Sequence, residues 1–257
     1  MLAGVIATVL TIAFEFQPAG GAADALLASG TGDDWRSQFP GNPALGVAVP
    51  GCATALAYCR PYGLAGVDWG RASIGLTRGA WSGGLSLSTL SFAGYRESDC
   101  QANLAARCTP EVAVGFGLHW YSIAAEGSRE GLPGFDAGLC WRTRRFQAGL
   151  AVLRANSPMC GGAALSPVVV VAGAVRPADD VGILLDVRRT DGPISLLLGA
   201  EFDVADEIRF RAGVGTRPLN YAAGLRLALG SLALDYSCRF HPALTDAHVL
   251  GLEVSWR

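Results

Sequence analysis

The sequence predicts an all-β protein, a transmembrane antiparallel up-and-down β-barrel of about fourteen strands. Three observations carry this. The chain is 51% apolar and 16% charged, yet beyond residue 15 it holds no uncharged apolar run near the ~18 residues that a spanning helix needs. Gly occurs 34 times and Pro 13 times, which suits short strands and turns rather than helices. Finally, from about residue 52 onward, polarity alternates at period two in segments separated by Gly, Pro, Asn or Asp.

Met1 to Phe14 is free of charge and reads as the apolar core of a secretory signal, with cleavage near Ala23-Asp24-Ala25 or earlier. The first cation is Arg36, so no positive n-region precedes that core. Residues 1–25 are therefore expected to be a signal peptide and residues 51–257 the barrel.

The last strand is the cleanest. His248, Leu250, Leu252, Val254 and Trp256 share one face, while Val249, Gly251, Glu253, Ser255 and Arg257 share the other. Lipid takes the first set. Before it, Leu232, Leu234, Tyr236, Cys238 and Phe240 oppose Ala233, Asp235, Ser237, Arg239 and His241. The pattern continues backward: Leu225, Leu227 and Leu229 oppose Arg226; Ile208, Phe210 and Val214 oppose Arg209 and Arg211; Leu196, Leu198 and Phe202 oppose Glu201 and Asp203. Weaker segments are Val181 to Arg189, Val168 to Val175, Phe146 to Arg154, Phe135 to Trp141 and Val112 to Trp120. Cys52 to Arg60, Val67 to Arg78, Trp81 to Phe92 and a poorly patterned Arg96 to Cys108 complete the set.

A soluble β-sandwich or barrel also alternates. What separates the two is the filling of each face. Here the less apolar face holds Gly, Ser, Ala and charges of both signs, and aromatics near strand ends (Trp69, Trp81, Trp120, Trp141, Tyr221, Phe240, Trp256) read as interfacial girdles.

The stretch from Leu198 to Trp256 carries Gly199-Ala200-Glu201-Phe202, Ile208-Arg209-Phe210-Arg211-Ala212-Gly213-Val214, Leu234-Asp235-Tyr236 and His241-Pro242-Ala243-Leu244. Toward the N-terminus come Gly20-Gly21-Ala22-Ala23-Asp24-Ala25, Asp33-Asp34 and Asn42-Pro43-Ala44-Leu45. In this combination and order the chain resembles the PorV/PorQ-like branch of the FadL outer-membrane transporter superfamily. The resemblance implies a fourteen-stranded barrel whose N-terminal segment, residues 26–50 with Asn42, Pro43 and Ala44, forms a plug or hatch; read alone, Gly41-Asn42-Pro43 is a turn that starts the barrel. If Gly20 to Ala25 is mature sequence, cleavage falls earlier. The chain departs from the family in its short loops and many cysteines.

Arg209, Arg211, Arg226 and Arg239 share the inferred lumen face with Glu201, Asp203, Asp235 and Glu253. Mixed signs on adjacent strands form either a structural ion-pair network or a lining that contacts solute. His119 also falls on the lumen face, as a hydrogen-bonded filler. Among the three histidines none lies in a nucleophile motif, so no catalytic residue, metal site or cofactor is expected. The seven cysteines are too irregularly spaced for zinc; Cys52/Cys59 and Cys100/Cys108 are the nearest candidates for disulfides, the alternative being small apolar fillers. A net charge of -2 without a basic cluster excludes nucleic acid as a partner. The expected place is the outer membrane of a Gram-negative-type bacterium, with its lipid as partner. The expected function is passive passage of small hydrophobic molecules. The alternative is a non-conducting scaffold or shuttle for a secretion or envelope complex.

Overall fold

The computed structural model describes residues 31, 35–48, 51–125, 127–160, 163–242 and 244–256. The signal core, the Gly20–Ala25 and Asp33-Asp34 signatures, and Arg257 lie outside them. The strands are β1 Gly51–Arg60, β2 Asp68–Arg78, β3 Trp81–Phe92, β4 Tyr95–Arg107, β5 Val112–Ala125, β6 Ser128–Arg142 and β7 Phe146–Leu153. A two-residue hairpin follows, β8 Met159–Cys160 with β9 Ala163–Ala164. Then come β10 Val168–Ala178, β11 Val181–Arg189, β12 Ser195–Ala205, β13 Ile208–Thr216, β14 Leu219–Leu229, β15 Leu232–His241 and β16 Leu244–Trp256. All but β8 and β9 close one antiparallel barrel of fourteen strands, sealed by β1 against β16.

Alternation fixes which side chains meet lipid. Leu56, Leu252, Leu234 and Leu227 stand side by side in register across β1, β16, β15 and β14, pointing outward. Trp81, Trp120, Trp141, Phe240 and Trp256 are also outward and exposed. A soluble protein does not carry an apolar belt of this extent, so the belt is the membrane-facing surface.

Several expectations need correction. Trp69 is not a girdle residue: it is 2% exposed and turned into the lumen, because it shares the parity of the inward Arg71 and Ser73. β5 and β6 run past the expected ends at Trp120 and Phe135 to form a taller hairpin, whose upper part carries Glu130, Gly131 and Pro133 and so lacks the apolar alternation. β14 likewise starts at Leu219 and β16 at Leu244. Neither expected disulfide exists: Cys52, Cys59, Cys100 and Cys108 are free. Cys52 and Cys59 sit seven residues apart on one extended strand. That is about 23 Å, whereas bridged Cα atoms lie within about 7 Å.

The strand ends divide into two rims. One rim has short turns at 79–80, 108–111, 143–145, 179–180, 206–207 and 230–231. The other carries the longest connection, 154–167. Leu165 of that connection is buried and packs on the inward Tyr121, Ile123 and Leu132.

The inward faces of β2 to β6 align in rows set by the register. From the long-connection rim downward these are Trp69–Leu90–Glu97–Ile123, then Arg71–Ser88–Asp99–Tyr121–Leu132, then Ser73–Ser86–Gln101–His119–Gly134. Below come Gly75–Gly84–Asn103–Gly117–Asp136 and Thr77–Ser82–Ala105–Gly115–Gly138. The two lower rows are rich in glycine because another stretch of chain lies against them. A Cβ on Gly115 would come 2.3 Å from the Ala44 nitrogen, and one on Gly138 would come 2.1 Å from Asn42 Oδ1. Above Gly84 stand Phe39 and Gln38, at 3.1 and 3.2 Å from a Cβ built there. With no side chain, these positions let a backbone approach the wall closely.

Candidate lumen site

The stretch lying on the glycine rows is the described part of residues 26–50. It forms two 3-10 turns, Trp35–Gln38 and Pro43–Ala48. Such short turns leave many backbone groups to be bonded elsewhere, and wall side chains take them up. Asn103 Nδ2 donates to the Gln38 carbonyl at 2.9 Å, and Gln101 Nε2 donates to the Phe39 carbonyl at 3.1 Å. Thr77 Oγ1 donates to the Gly46 carbonyl and Arg107 Nη2 to the Val47 carbonyl, each at 2.9 Å. Ala44, Leu45 and Val47 pack on the inward Ala105, Ala113 and Cys140.

Of the residues expected in this segment, Asn42 is fully buried. Its Oδ1 accepts the Ala44 N–H at 3.0 Å and its Nδ2 donates to the Leu139 carbonyl at 3.1 Å. Pro43 opens the second turn, where its fixed φ suits the first helical position and no N–H is missed. Ala44 faces Gly115. At its other end the segment reaches across the lumen. Arg36, 2% exposed, donates to Asp235 Oδ2 at 2.8 Å and its Nε lies 3.5 Å from Glu253 Oε2.

The charges expected on the lumen face all belong to β12–β16, but they form two groups rather than one. In the first, Arg176 of β10 pairs with Glu201, whose carboxylate also meets Arg211 Nε at 3.5 Å and Arg209 Nη1 at 3.8 Å. Arg209 also pairs with Asp203. In the second, Arg226 bridges Asp235 at 3.2 Å and Glu253 at 2.7 Å, and Arg36 enters the same pair of carboxylates. Arg239 lies beside these on β15, half-buried and with partners of its own. Arg176 and Arg36 escaped sequence reasoning: one sits at the end of a strand otherwise apolar on its inward face, the other in a segment without periodicity.

His119 sits in a separate cluster on the opposite wall. Its Nδ1 lies 2.9 Å from Asp99 Oδ1 and its Nε2 2.8 Å from Asp136 Oδ2, all three side chains being 2–3% exposed. Each ring nitrogen thus faces one carboxylate oxygen, which fixes the orientation of the imidazole between β4 and β6. The Tyr121 ring stacks on the imidazole at 5.0 Å, in room left by Gly134. Asp136 Oδ1 accepts the Arg154 N–H at 2.8 Å, tying the start of the 154–167 connection to the cluster. Asp99, Asp136, Glu97, Gln101 and Asn103 were not singled out from the sequence. β4 alternates Glu97, Asp99, Gln101 and Asn103 with Ser98, Cys100 and Ala102 rather than with large apolar residues, which flattens the signal, and Asp136 lies on β6 between Phe135 and Ala137.

Among the described residues no group of His, Cys, Asp and Glu could hold a metal ion. Much of the remaining lumen wall is apolar. Gly149, Ala151 and Leu153 of β7 and Val168, Val170, Ala172 and Ala174 of β10 all face inward.

Solved structures share this architecture. A Pseudomonas aeruginosa FadL homologue superposes with a TM-score of 0.65 at 13% identity, over 93% of this chain and 97% of that one. The fold is FadL-like. The Pseudomonas putida toluene transporter TodX gives 0.62 at 11% identity, over 93% and 96% of the two chains. A ΔS2 mutant of TodX, described as a monoaromatic hydrocarbon channel, gives 0.67 at 10% identity, over 92% and 97%. No protein-family model and no curated relative matches the chain. The similarity is therefore one of backbone architecture, and its named members are a channel and a transporter rather than enzymes.

Proposed function

We propose that this FadL-like barrel resides in a bacterial outer membrane and passes small hydrophobic molecules through its lumen, with residues 26–50 acting as the plug. The observation that carries the reading is the apolar inward strip on β7 and β10. A water-filled pore has a polar lining, and a strip of Ala, Val and Leu facing the lumen instead offers a contact surface to an apolar solute. The likeness to TodX supports the same direction. Purified protein in liposomes tests it, wild type against a deletion of residues 26–50. Solute flux is expected to rise in the deletion; absence of flux in both forms overturns the reading.

A second reading, a non-conducting barrel serving a secretion or envelope complex, is favoured by one feature. At the short-turn rim a cavity of about 70 Å³ lies beside the segment, lined by Leu45, Val47, Arg107 and Cys140, room for about two waters. Recovery with a stoichiometric envelope partner after gentle extraction, and no flux on deleting the segment, is the outcome that reading expects.

A further inference from the structure

Resting on the transport reading, we propose that the lumen site on β3–β6 selects apolar molecules whose polar end donates hydrogen bonds and carries no negative charge, and that it rejects carboxylates. Three acidic side chains are 2–3% exposed: Glu97 in the row of the apolar Ile123, Asp99 in the next row down and Asp136 two rows lower. Both nitrogens of His119 lie on Asp99 and Asp136, the Tyr95 hydroxyl lies on Glu97, and the buried Arg71 of the Asp99 row has its guanidinium over the Trp69 ring, 5.5 Å from the centroid.

Independent of the acids, the row at the level of His119 holds two buried oxygens without a hydrogen-bond partner, Gln101 Oε1 and Ser86 Oγ. These residues are register partners on β4 and β3, 1% and 5% exposed. Gln101 Nε2 is turned down to the Phe39 carbonyl and Asn103 Oδ1. The row of Gln101 lies between that of Asp99 and that of Asp136, so the unmatched oxygen belongs to the acid-bearing part of the wall. Gln101 Oε1 can only accept, so leaving it unmatched is costly and a ligand hydroxyl or ammonium supplies what it lacks, while the Ser86 hydroxyl can take either role toward the same group. A ligand carboxylate would bring a further negative charge and no donor, and like charges at close range are strongly disfavoured.

The test is calorimetric titration of the purified full-length chain in detergent with benzyl alcohol, benzylamine and benzoate, which share one apolar body. Benzoate is expected to bind at least about tenfold more weakly than the other two, the ratio that a 1.4 kcal/mol difference produces. Glu97→Gln should narrow that gap, since the amide keeps an acceptor for Tyr95 and loses the charge. Gln101→Leu should weaken benzyl alcohol by about fivefold or more, the worth of one hydrogen bond. Ser86→Ala tests the same level without touching the contact to Phe39, and gel mobility with and without boiling shows that each variant has folded. Benzoate binding as tightly as the alcohol overturns the substrate class while leaving transport standing. Alcohol binding unchanged in both Gln101→Leu and Ser86→Ala overturns the assignment to this site. No binding of any of the three probes overturns the transport reading as well.

Discussion

Arg36 and Asp235 form a 2.8 Å ion pair whose side chains are 3% and 0% exposed, although 199 residues separate them in the chain. Asp235 also has Arg226 at 3.2 Å. The pair is therefore asymmetric: removing Arg36 leaves the carboxylate with a partner, whereas removing Asp235 deprives two guanidiniums. Arg36→Ala should release the N-terminal segment at modest cost to the barrel, raising liposome flux. Asp235→Ala should destabilise by about 3–5 kcal/mol, as expected when a buried pair loses one member. Urea unfolding in lipid vesicles and liposome swelling measure the two effects. Equal destabilisation with unchanged flux would mean that Arg36 is part of the wall structure and does not hold the segment.

The lipid-facing row gives a second expectation. Leu252 stands outward between Leu56 and Leu234. Leu252→Arg should cost about 2–4 kcal/mol near the bilayer midplane, and Ser255→Arg, on the lumen parity of the same strand, much less. Refolding into vesicles reads both, and a reversed order would contradict the orientation of the wall.

How much of this was legible depended on contrast between the two faces of each strand. In β12–β16, Leu, Phe and Tyr alternate with Arg, Asp and Glu, so parity and strand order follow from the sequence, while the division of the charges into two groups does not. In β4 the outward residues are small, so Glu97, Asp99, Gln101 and Asn103 gave no readable face. Asp99, His119 and Asp136 lie 20 and 17 positions apart, spacings with meaning only once the register is known. The glycine rows have the same character. Gly84, Gly115 and Gly138 look like ordinary turn or strand glycines until pairing sets them beneath the N-terminal segment. Trp69 shows the opposite error, where a position near a strand end suggested a girdle and parity turned the ring inward.

The first charge group allows a double-mutant cycle. Arg211 meets Glu201 at 3.5 Å, but Glu201 also holds Arg176 and Arg209. Arg211→Ala and Glu201→Ala should couple by about 0.5–3 kcal/mol, nearer the lower end because Glu201 keeps other partners. Arg211→Ala with Asp235→Ala should be additive, since these residues belong to different groups. Coupling across the two groups would show that they act as one network.

The glycine rows supply the last expectation, which bears on the segment itself. A Cβ at Gly115 would stand 2.3 Å from the Ala44 nitrogen and 2.4 Å from the Pro43 carbonyl carbon. These are backbone atoms that cannot rotate aside, so Gly115→Ala must push residues 43–44 off the wall. Cys140 reports on this, being 5% exposed and packed with Ala44, Leu45 and Val47. In a background where the other six cysteines are replaced, Cys140 should react slowly with a water-soluble maleimide, and Gly115→Ala should speed that reaction. Gly173→Ala serves as the control, because its nearest neighbour is a carbonyl oxygen 4.0 Å away. Overpacking of this kind costs about 1–3 kcal/mol when the neighbour must move. Relief by displacement of the segment, rather than of the wall, predicts increased labelling with little loss of barrel stability. Unchanged labelling together with a large stability loss would place the strain in β5 and show that the segment is fixed more firmly than its hydrogen bonds imply.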